Sequence, residues 1–325
     1  MSSDAIPRRP LGKTGAQISA LGVGGHHLGQ LPSAAEATRL VHEAIDSGLN
    51  FFDNCWEYHN GRSELWLGDG LRGKRDKVFL MTKVCTHGRD GALGMQMLDQ
   101  SLRRLGTDHL DLWQIHGVGF ESDPRLAFAK NGIVEAMEKA RKAGKIRFIG
   151  FTGHKDPAVH LKMLTYGFHF DAVQMPLNPF DAQFHFSFER DVLPVLNQHG
   201  VGVLGMKSLG GHAEAVKAGV ISPREALGYA MSLPVTTTVS GMDSVEVLRQ
   251  NVALARGFKP LSAPEMEAIR QRCRPAAGDA RFELYKVSLK FDNPEARLAH
   301  HFPIDDQQIE VKEELKAVDG SARAK

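Results

Sequence analysis

The sequence has little cysteine: Cys55, Cys85 and Cys273 are the three cysteines in a chain of 325 residues. They form no Cys-x-x-Cys pair, and their spacing is not typical of metal ligands. A sparse and odd set of thiols is typical of reduced cysteines in a reducing compartment. We therefore expect neither a disulfide framework nor a metal site.

Long apolar runs and an excess of one charge are also missing. No run approaches the roughly 18 apolar residues that suggest a membrane span. The first 15 residues contain no apolar segment typical of a secretory signal. The 40 Lys and Arg are balanced by 38 Asp and Glu, without a basic block. This balance gives no electrostatic reason to expect nucleic acid or an anionic membrane as partner. We expect a soluble, cytoplasmic protein.

What the sequence does contain is a regular alternation of short apolar segments and longer amphipathic segments. Such an alternation favours a parallel sheet covered by helices. Eight units within about 240 residues fit a closed (β/α)₈ TIM barrel better than an open sheet. The predicted strands are 18–23, 50–54, 78–84, 110–116, 146–152, 171–175, 201–206 and 235–240.

We predict a single barrel domain over residues 8–258. A short hairpin that turns near 13–15 precedes its first strand. After residue 258 the alternation stops, and we expect an irregular C-terminal extension. Residues 259–304 are predicted to form a helix and a loop that pack on or near the barrel mouth, and 305–325 a polar, mobile tail.

Four polar side chains of different type follow adjacent predicted strands. Asp53 ends the second strand, Tyr58 lies in the loop after it, Lys83 ends the third strand and His116 the fourth. Each alone has a common structural explanation: an N-cap, a packing aromatic, a solvent-facing charge or a structural histidine. In a TIM barrel, however, the C-terminal ends of the strands carry the active site. We therefore expect the four to converge at one rim.

Together these groups suit the reduction of a carbonyl. The ammonium of Lys83 is expected to stabilise a neighbouring phenolate and so to lower the pKa of Tyr58. The carboxylate of Asp53 would keep the lysine charged and oriented. Tyr58 can then give a proton to a developing alkoxide. His116 can donate a hydrogen bond to the same oxygen and fix its direction.

The sequence resembles the aldo-keto reductase superfamily over about residues 8–258. In that family, the residues that match Asp53, Tyr58, Lys83 and His116 form a catalytic tetrad. The resemblance implies Tyr58 as general acid, Lys83 as the residue that tunes its pKa, Asp53 as the residue that orients the lysine, and His116 as the residue that positions the carbonyl. The motifs that carry the resemblance are "RPLGKTGAQISALGVGG", "GLNFFDNCWEYHNGRSE", "VFLMTKV", "SLRRLGTDHLDLWQIH", "IRFIGFTGH" and "VSGMDSVEVLRQN".

Carbonyl reduction needs a hydride donor, yet the dinucleotide-binding pattern G-x-G-x-x-G is incomplete: in "GVGGHHLG", His27 replaces the third glycine. The resemblance implies instead a nicotinamide cofactor extended across the barrel mouth. Asp243 or Ser244 would cap a helix whose N-terminus favours phosphate. The residues implied for cofactor binding are Gly24, Gly25, Thr152, Gly153, Gln174, Gly205, Met206, Lys207, Leu209, Gly210, Ser240, Gly241, Met242, Gln250 and Asn251.

Three departures from the family pattern concern this cofactor. Met206 replaces an aromatic residue that stacks on the nicotinamide, and Gly153 replaces an asparagine. At the positions where many members bind the 2′-phosphate through lysine and arginine, this chain has Gly241 and Val247. Lys207, Lys217 or Arg249 could compensate, since a phosphate site needs charge-assisted bonds. The frequency of NADP in the family favours NADP(H) over NAD(H).

For the substrate, we expect contacts from His26, Trp56 and Phe151, which lie near the ends of the first, second and fifth strands. The predicted function is a reversible, NAD(P)H-dependent reduction of an aldehyde or ketone to an alcohol. The alternative is a cofactor-sensing regulatory subunit of the same fold with slow turnover. A metal-dependent barrel hydrolase or lyase would need a cluster of ligands that the sequence pattern does not indicate. The substrate and the oligomeric state stay open.

Overall fold

In a computed structural model of the chain, the structure describes residues 5–85 and 89–288. Eight parallel strands close into a barrel in the order β10-β3-β4-β5-β6-β7-β8-β9. The predicted (β/α)₈ TIM barrel is confirmed, and each of its strands lies at a predicted position. The strands are β1 (Arg8–Pro10), β2 (Gln17–Ser19), β3 (Leu21–Gly24), β4 (Phe51–Asp53), β5 (Phe79–Val84), β6 (Leu110–Ile115), β7 (Ile146–Thr152), β8 (Ala172–Pro176), β9 (Gly202–Met206) and β10 (Thr237–Gly241).

Helices connect these strands and form the outer layer of the barrel. The α-helices are α1 (Gly25–Leu28), α2 (Ala34–Asp46), α3 (Arg62–Leu71), α4 (Gly91–Leu105), α5 (Ser122–Ala127), α6 (Ile133–Lys142), α7 (Pro157–Leu164), α8 (Leu193–His199), α9 (Glu214–Lys217), α10 (Pro223–Ser232), α11 (Val245–Ala255), α12 (Ala263–Cys273) and α13 (Leu284–Val287). Short 3₁₀ segments span Tyr58–Gly61, Arg75–Lys77, Asp181–Gln183 and Arg274–Ala276, and a π-helical turn, Phe188–Val192, precedes α8. In the described part of the chain, none of these helices is long and apolar enough to cross a membrane.

Helix ends lie where the sequence has capping residues. The hydroxyl of Ser33 accepts a hydrogen bond from the amide of Glu36 at the start of α2. At the start of α10, Ser222 and Glu225 form a reciprocal capping box, and Pro223 occupies the first helical position. Ser244 caps α11 by accepting from the amide of Val247 at 3.1 Å. These local contacts fix where each helix begins, and so how each loop leaves its strand.

The hairpin of β1 and β2 closes one end of the barrel. Its residues Leu11 and Ile18 are fully buried and belong to the apolar cluster inside the barrel, together with the first residues of β4 and β5. The guanidinium of Arg9 donates to the carbonyls of Val235 and Met231, both at 2.9 Å. Because this hairpin occupies the end of the barrel where the strands begin, a site can form at the opposite end.

The segment after α12 returns to the end of the barrel where the strands finish. The amide of Gly211 donates to the carbonyl of Phe282 at 3.0 Å. Asn178, which follows β8, donates to Glu283 at 3.0 Å and contacts the hydroxyl of Tyr285 at 3.1 Å. These contacts join residues 282–285 to the loops after β8 and β9, while the packing of the whole segment 259–304 on the mouth stays a prediction. The rest of that extension and the predicted tail, 305–325, lie outside the described residues.

Candidate active site

Adjacent strands bring the four predicted catalytic residues to one rim. Asp53 is the last residue of β4, and Lys83 is the last but one of β5. His116 directly follows β6, and its amide donates to the carbonyl of Val84 at 2.9 Å. Tyr58 lies in the loop after β4. The convergence inferred from strand ends is therefore seen in the structure.

Lys83 is the centre of this group. Its ammonium forms an ion pair with the carboxylate of Asp53, and both side chains are buried. The same nitrogen donates to the carbonyl of Asn54 at 2.8 Å and to the hydroxyl of Tyr58 at 3.3 Å. A buried charge needs such partners to offset the loss of hydration. The phenol is thus held beside an ammonium whose position the carboxylate fixes.

The pKa of Tyr58 differs from the sequence expectation. Burial, and then the negative charge of Asp53, raise the pKa of the phenol well above its usual value. These two effects outweigh the expected lowering by Lys83, whose charge is already paired with that carboxylate. Tyr58 is therefore protonated at neutral pH, as a general acid must be before it gives up its proton.

His116 also lies beside the phenol. The two rings are 6.0 Å apart, nearly perpendicular to each other. The Nδ1 atom of His116 lies 2.9 Å from Oε1 of Glu57 and 3.2 Å from the sulfur of Cys55. The thiol of Cys85 donates to the second oxygen of Glu57. Burial alone would lower the pKa of His116, but Cys55 and Glu57 raise it to about 9.

The loop that carries Tyr58 packs against residues that the sequence pattern did not indicate as part of the site. His59 and Asn60 have φ angles of 52° and 56°, and Gly61 has 87°. A Cβ atom at Gly61 would lie 2.4 Å from the guanidinium carbon of Arg104. That guanidinium contacts the fully buried carboxylate of Glu64 at 3.1 Å. The signal for this support was the polar run "HNGRSE" directly after Tyr58.

Gln174 and Gly153 lie at the positions implied for the nicotinamide amide. The side-chain nitrogen of Gln174 donates to Asp53 at 3.1 Å. Its side-chain oxygen is buried and has no hydrogen-bond partner among the described residues, so it can accept from an amide. Gly153 follows Thr152, and a Cβ atom there would lie 1.8 Å from the carbonyl oxygen of Val118. The asparagine of the family pattern therefore does not fit here.

The loop after β9 is pinned to the C-terminal segment. Gly210 has a φ of 80°, and a Cβ atom at this position would lie 2.5 Å from the carbonyl oxygen of Phe282. The side-chain nitrogen of Asn178 donates to the carbonyl of Lys207 at 3.2 Å. Of the residues implied for cofactor binding, this loop holds Lys207, Leu209 and Gly210, and Gly205 and Met206 are the last two residues of β9.

Lys207 is a partly buried lysine whose ammonium lies close to other charges. Burial lowers its pKa to about 8, the carboxylates of Glu214 and Glu283 act in the opposite direction, and the charge of Lys83 lowers it further. Its nitrogen lies 4.7 Å above the ring of Tyr285. An anion at this loop would favour the charged form.

The residues implied for the adenosine side lie at the end of β10 and on α11. Asn251 donates to the hydroxyl of Ser240 at 3.2 Å, while Gln250 is exposed. Gly241 pairs with Gly24 across the adjacent strands, and a Cβ atom at Gly241 would lie 2.1 Å from the ring of His27. At Gly25, a Cβ atom would lie 2.4 Å from the carbonyl oxygen of Asp53, so this position is also closely packed.

One residue implied for this side is placed differently. The side chain of Met242 is buried in the apolar core, so it packs the helix layer instead of facing a ligand. Arg249, the exposed cation on α11, is paired with Glu43 of α2, with one contact of 3.0 Å. The pair lies on the surface, where the free energy of an ion pair is small.

The three side chains predicted to contact the substrate lie in different surroundings. The ring of His26 lies 5.2 Å from that of Tyr58, which fits a place at the substrate mouth. Phe151 is fully buried, 4.8 Å from the ring of Phe170, because strand alternation turns it towards the helices. Trp56 donates to Gln100 of α4 at 2.8 Å. Phe151 is therefore wrong as a substrate contact, and Trp56 is tied to the helix layer.

A family model described as the Aldo/keto reductase family matches residues 20–219 of the chain. The match spans more than half of the sequence and includes the whole tetrad. This chain belongs to the aldo/keto reductase family. The resemblance inferred from the motifs is thus confirmed.

Individual relatives are similar over most of their length. L-galactose dehydrogenase of Arabidopsis thaliana is 29% identical over 313 residues, which cover 81% of this chain and 94% of that protein. The uncharacterized oxidoreductase YqkF of Bacillus subtilis is 25% identical and is covered to 96%. Among solved structures, an aldo-keto reductase from Klebsiella pneumoniae in complex with NADPH superimposes with a TM-score of 0.68 at 24% identity, covering 83% of this chain and 95% of that one. This last likeness concerns the fold.

Proposed function

We propose that this member of the family is an NAD(P)H-dependent oxidoreductase that reduces an aldehyde or ketone to an alcohol, reversibly. The observation that carries the proposal is the contact of the Lys83 ammonium with both the Asp53 carboxylate and the Tyr58 hydroxyl. A protonated phenol in a fixed position, with an imidazole ring beside it, is the donor set that a carbonyl oxygen needs as it becomes an alkoxide.

Each residue has a distinct part in this chemistry. Tyr58 gives its proton to the oxygen, and Lys83 stabilises the phenolate that remains. Asp53 holds the lysine in place, and His116 donates a hydrogen bond that directs the carbonyl. A nicotinamide cofactor would supply the hydride, and Gln174 would hold its amide through the side-chain oxygen that has no partner within the described chain.

The preference for NADP(H) over NAD(H) is also a proposal. It is supported by the complex of the Klebsiella relative with NADPH. In this chain the candidate cation for the 2′-phosphate is Arg249, released from Glu43. Because this surface pair is weakly stabilising, a phosphate can compete for the guanidinium through charge-assisted bonds. We further propose a small-molecule carbonyl or alcohol as substrate and a cytoplasmic location.

Turnover of a generic aldehyde with NADPH and with NADH tests the function, in the wild type and in Tyr58→Phe. The loss of a general acid should lower kcat by about 10²- to 10⁴-fold without weakening cofactor binding. Tyr166→Phe is the matched control, since Tyr166 is 39% exposed at the surface. Equal turnover in Tyr58→Phe would refute the assignment. Tight cofactor binding with very slow turnover in the wild type would favour the regulatory-subunit alternative.

A further inference from the structure

Three side chains with metal-binding atoms meet beside the tetrad, and one of them, His116, belongs to it. The sulfur of Cys55, a carboxylate oxygen of Glu57 and a ring nitrogen of His116 all lie within 4.8 Å of one another. We call them the Cys55–Glu57–His116 cluster. They come from the loop after β4 and from the end of β6. The spacing argument against a metal site considered ligands that are close in sequence, and so it did not address this combination.

The contacts within the cluster converge on one atom. Nδ1 of His116 is 2.9 Å from Oε1 of Glu57 and 3.2 Å from the sulfur of Cys55. One ring nitrogen carries at most one proton, so it cannot donate to both neighbours with good geometry. A cation between the three atoms would accept a lone pair from each of them. The thiol of Cys55 also lies 3.7 Å from the carbonyl of Lys83, but the convergence of the three ligand atoms is the arrangement that a shared cation requires.

We propose that Cys55, Glu57 and His116 bind a zinc ion, with His116 coordinating through Nδ1. A thiolate, an imidazole and a carboxylate are the three ligand types that zinc accepts in proteins. Thiolate and carboxylate together carry two negative charges, which balance the charge of the ion. Cys55 is fully buried, whereas the side chains of Glu57 and His116 are 23% and 17% exposed. Water can therefore reach a fourth coordination position, as in zinc sites with three protein ligands.

A neighbouring residue supports the placement of one ligand. The thiol of Cys85 donates to the second oxygen of Glu57, while the first oxygen faces His116. Hydrogen bonds of this kind orient the carboxylates that bind metals. The backbone of Cys55 is also fixed, because its amide donates to the side-chain oxygen of Asn54 at 2.8 Å. The ligands are thus held by the fold before a metal arrives.

The expected consequence concerns His116 and rests on the proposed function. With Nδ1 on the metal, the proton of the imidazole is fixed on Nε2, the nitrogen left to donate to a carbonyl oxygen. The zinc ion would act through His116 and would not contact the substrate. The metal site itself does not depend on the reaction that the protein catalyses.

Metal content tests the proposal. The full chain is purified without a polyhistidine tag, without chelator and under reducing conditions, and zinc is measured by elemental analysis. We expect about one zinc per chain. Cobalt exchanged into the protein should give an absorption band from thiolate-to-cobalt charge transfer, which reports a cysteine ligand. Protein without zinc that also gives no such band on titration with Co²⁺ would overturn the proposal, and this measurement needs no variant.

Two variants and one control assign the ligands. Cys55→Ser and Glu57→Gln should each lower metal affinity at least tenfold, and Cys55→Ser should abolish the cobalt band. Cys273→Ser, which alters a buried thiol on α12 far along the chain, should keep both. Retention of the band in Cys55→Ser would overturn the assignment. Metal-free protein whose aldehyde turnover depends on Tyr58 would refute this inference alone, whereas zinc-bound protein without turnover would refute only the proposed function.

Discussion

Lys286 offers the sharpest test of how the C-terminal segment is held on the barrel mouth. Its ammonium lies 2.7 Å from the carboxylate of Asp181 and 2.9 Å from that of Glu283, and all three side chains are fully buried. Lys286→Met keeps the length of the side chain but removes the charge. It leaves two buried carboxylates without their common cation, which typically costs about 3–5 kcal/mol of unfolding free energy.

The two carboxylates are not equally dependent on the lysine. Asp181 also accepts hydrogen bonds from the hydroxyl of Ser187 at 2.8 Å and from the amides of Phe188 and Glu189 at 3.1 and 2.9 Å. These three hydrogen bonds support its carboxylate independently of Lys286. Burial raises the pKa of Glu283, and Lys286 opposes that effect. In the variant, Glu283 should therefore take up a proton.

The direction of the pH effect follows from this difference. A carboxyl group whose pKa is raised in the folded state stabilises the fold at low pH, and the contribution is lost as pH rises through the folded pKa. The loss in Lys286→Met should therefore be smaller at pH 5.5 than at pH 8. Adding Glu283→Gln should recover a large part of the stability at pH 8. The KM for the cofactor should rise as well, because Asn178 joins Glu283 to the loop carbonyl of Lys207.

Urea denaturation followed by circular dichroism measures these differences. Lys130→Met removes an exposed lysine and should change the unfolding free energy by less than about 0.5 kcal/mol. A loss below about 1 kcal/mol in Lys286→Met, or a loss independent of pH, would show that the buried charges do not hold the segment as described.

Three further predictions concern the cofactor side. Gly153→Ala should lower the unfolding free energy by about 1–3 kcal/mol in urea denaturation through overpacking, whereas Gly228→Ala, with no atom near its Cβ position, should not; equal effects would refute the packing argument. Arg249→Met should raise the KM for NADPH about tenfold and leave the KM for NADH unchanged. If neither KM changes, the guanidinium stays paired with Glu43 and does not bind the 2′-phosphate. The affinity for NADPH, measured by fluorescence titration, should fall as pH rises through about 8, because only charged Lys207 attracts phosphate. Lys207→Met should remove most of this pH dependence. An affinity of the wild type that does not change with pH would contradict the prediction.

The barrel and the tetrad were predictable from sequence because both follow from local patterns. Apolar segments of strand length recur with helices between them, and polar residues end successive strands. Asp53, Lys83 and His116 could be placed at one rim on this basis alone. The side on which a residue faces was harder to predict. Phe151 and Met242 lie near the strand ends but point into the helix layer, since neighbouring residues of a strand face opposite sides.

The pKa of Tyr58 could not be predicted from sequence for a different reason. A lysine beside a phenol lowers its pKa only if the positive charge is not already balanced. Here burial raises the pKa of Tyr58, and the Asp53 carboxylate, which pairs with Lys83, raises it further. The sum of these effects depends on distances between side chains that are about 30 residues apart in sequence. Those distances cannot be derived from the residue types alone.

The position of Tyr58 itself depends on contacts distant in sequence. The strand brings Asp53 to the rim, but the loop must then turn sharply through Gly61 to return the phenol to Lys83. Arg104 of α4 fixes this turn by donating to the carbonyl of Trp56 at 2.8 Å while it pairs with buried Glu64. The spacing between the acid and the phenol is therefore productive only because a helix from the next strand–helix unit supports the loop. A catalytic assignment from spacing alone is incomplete without this support.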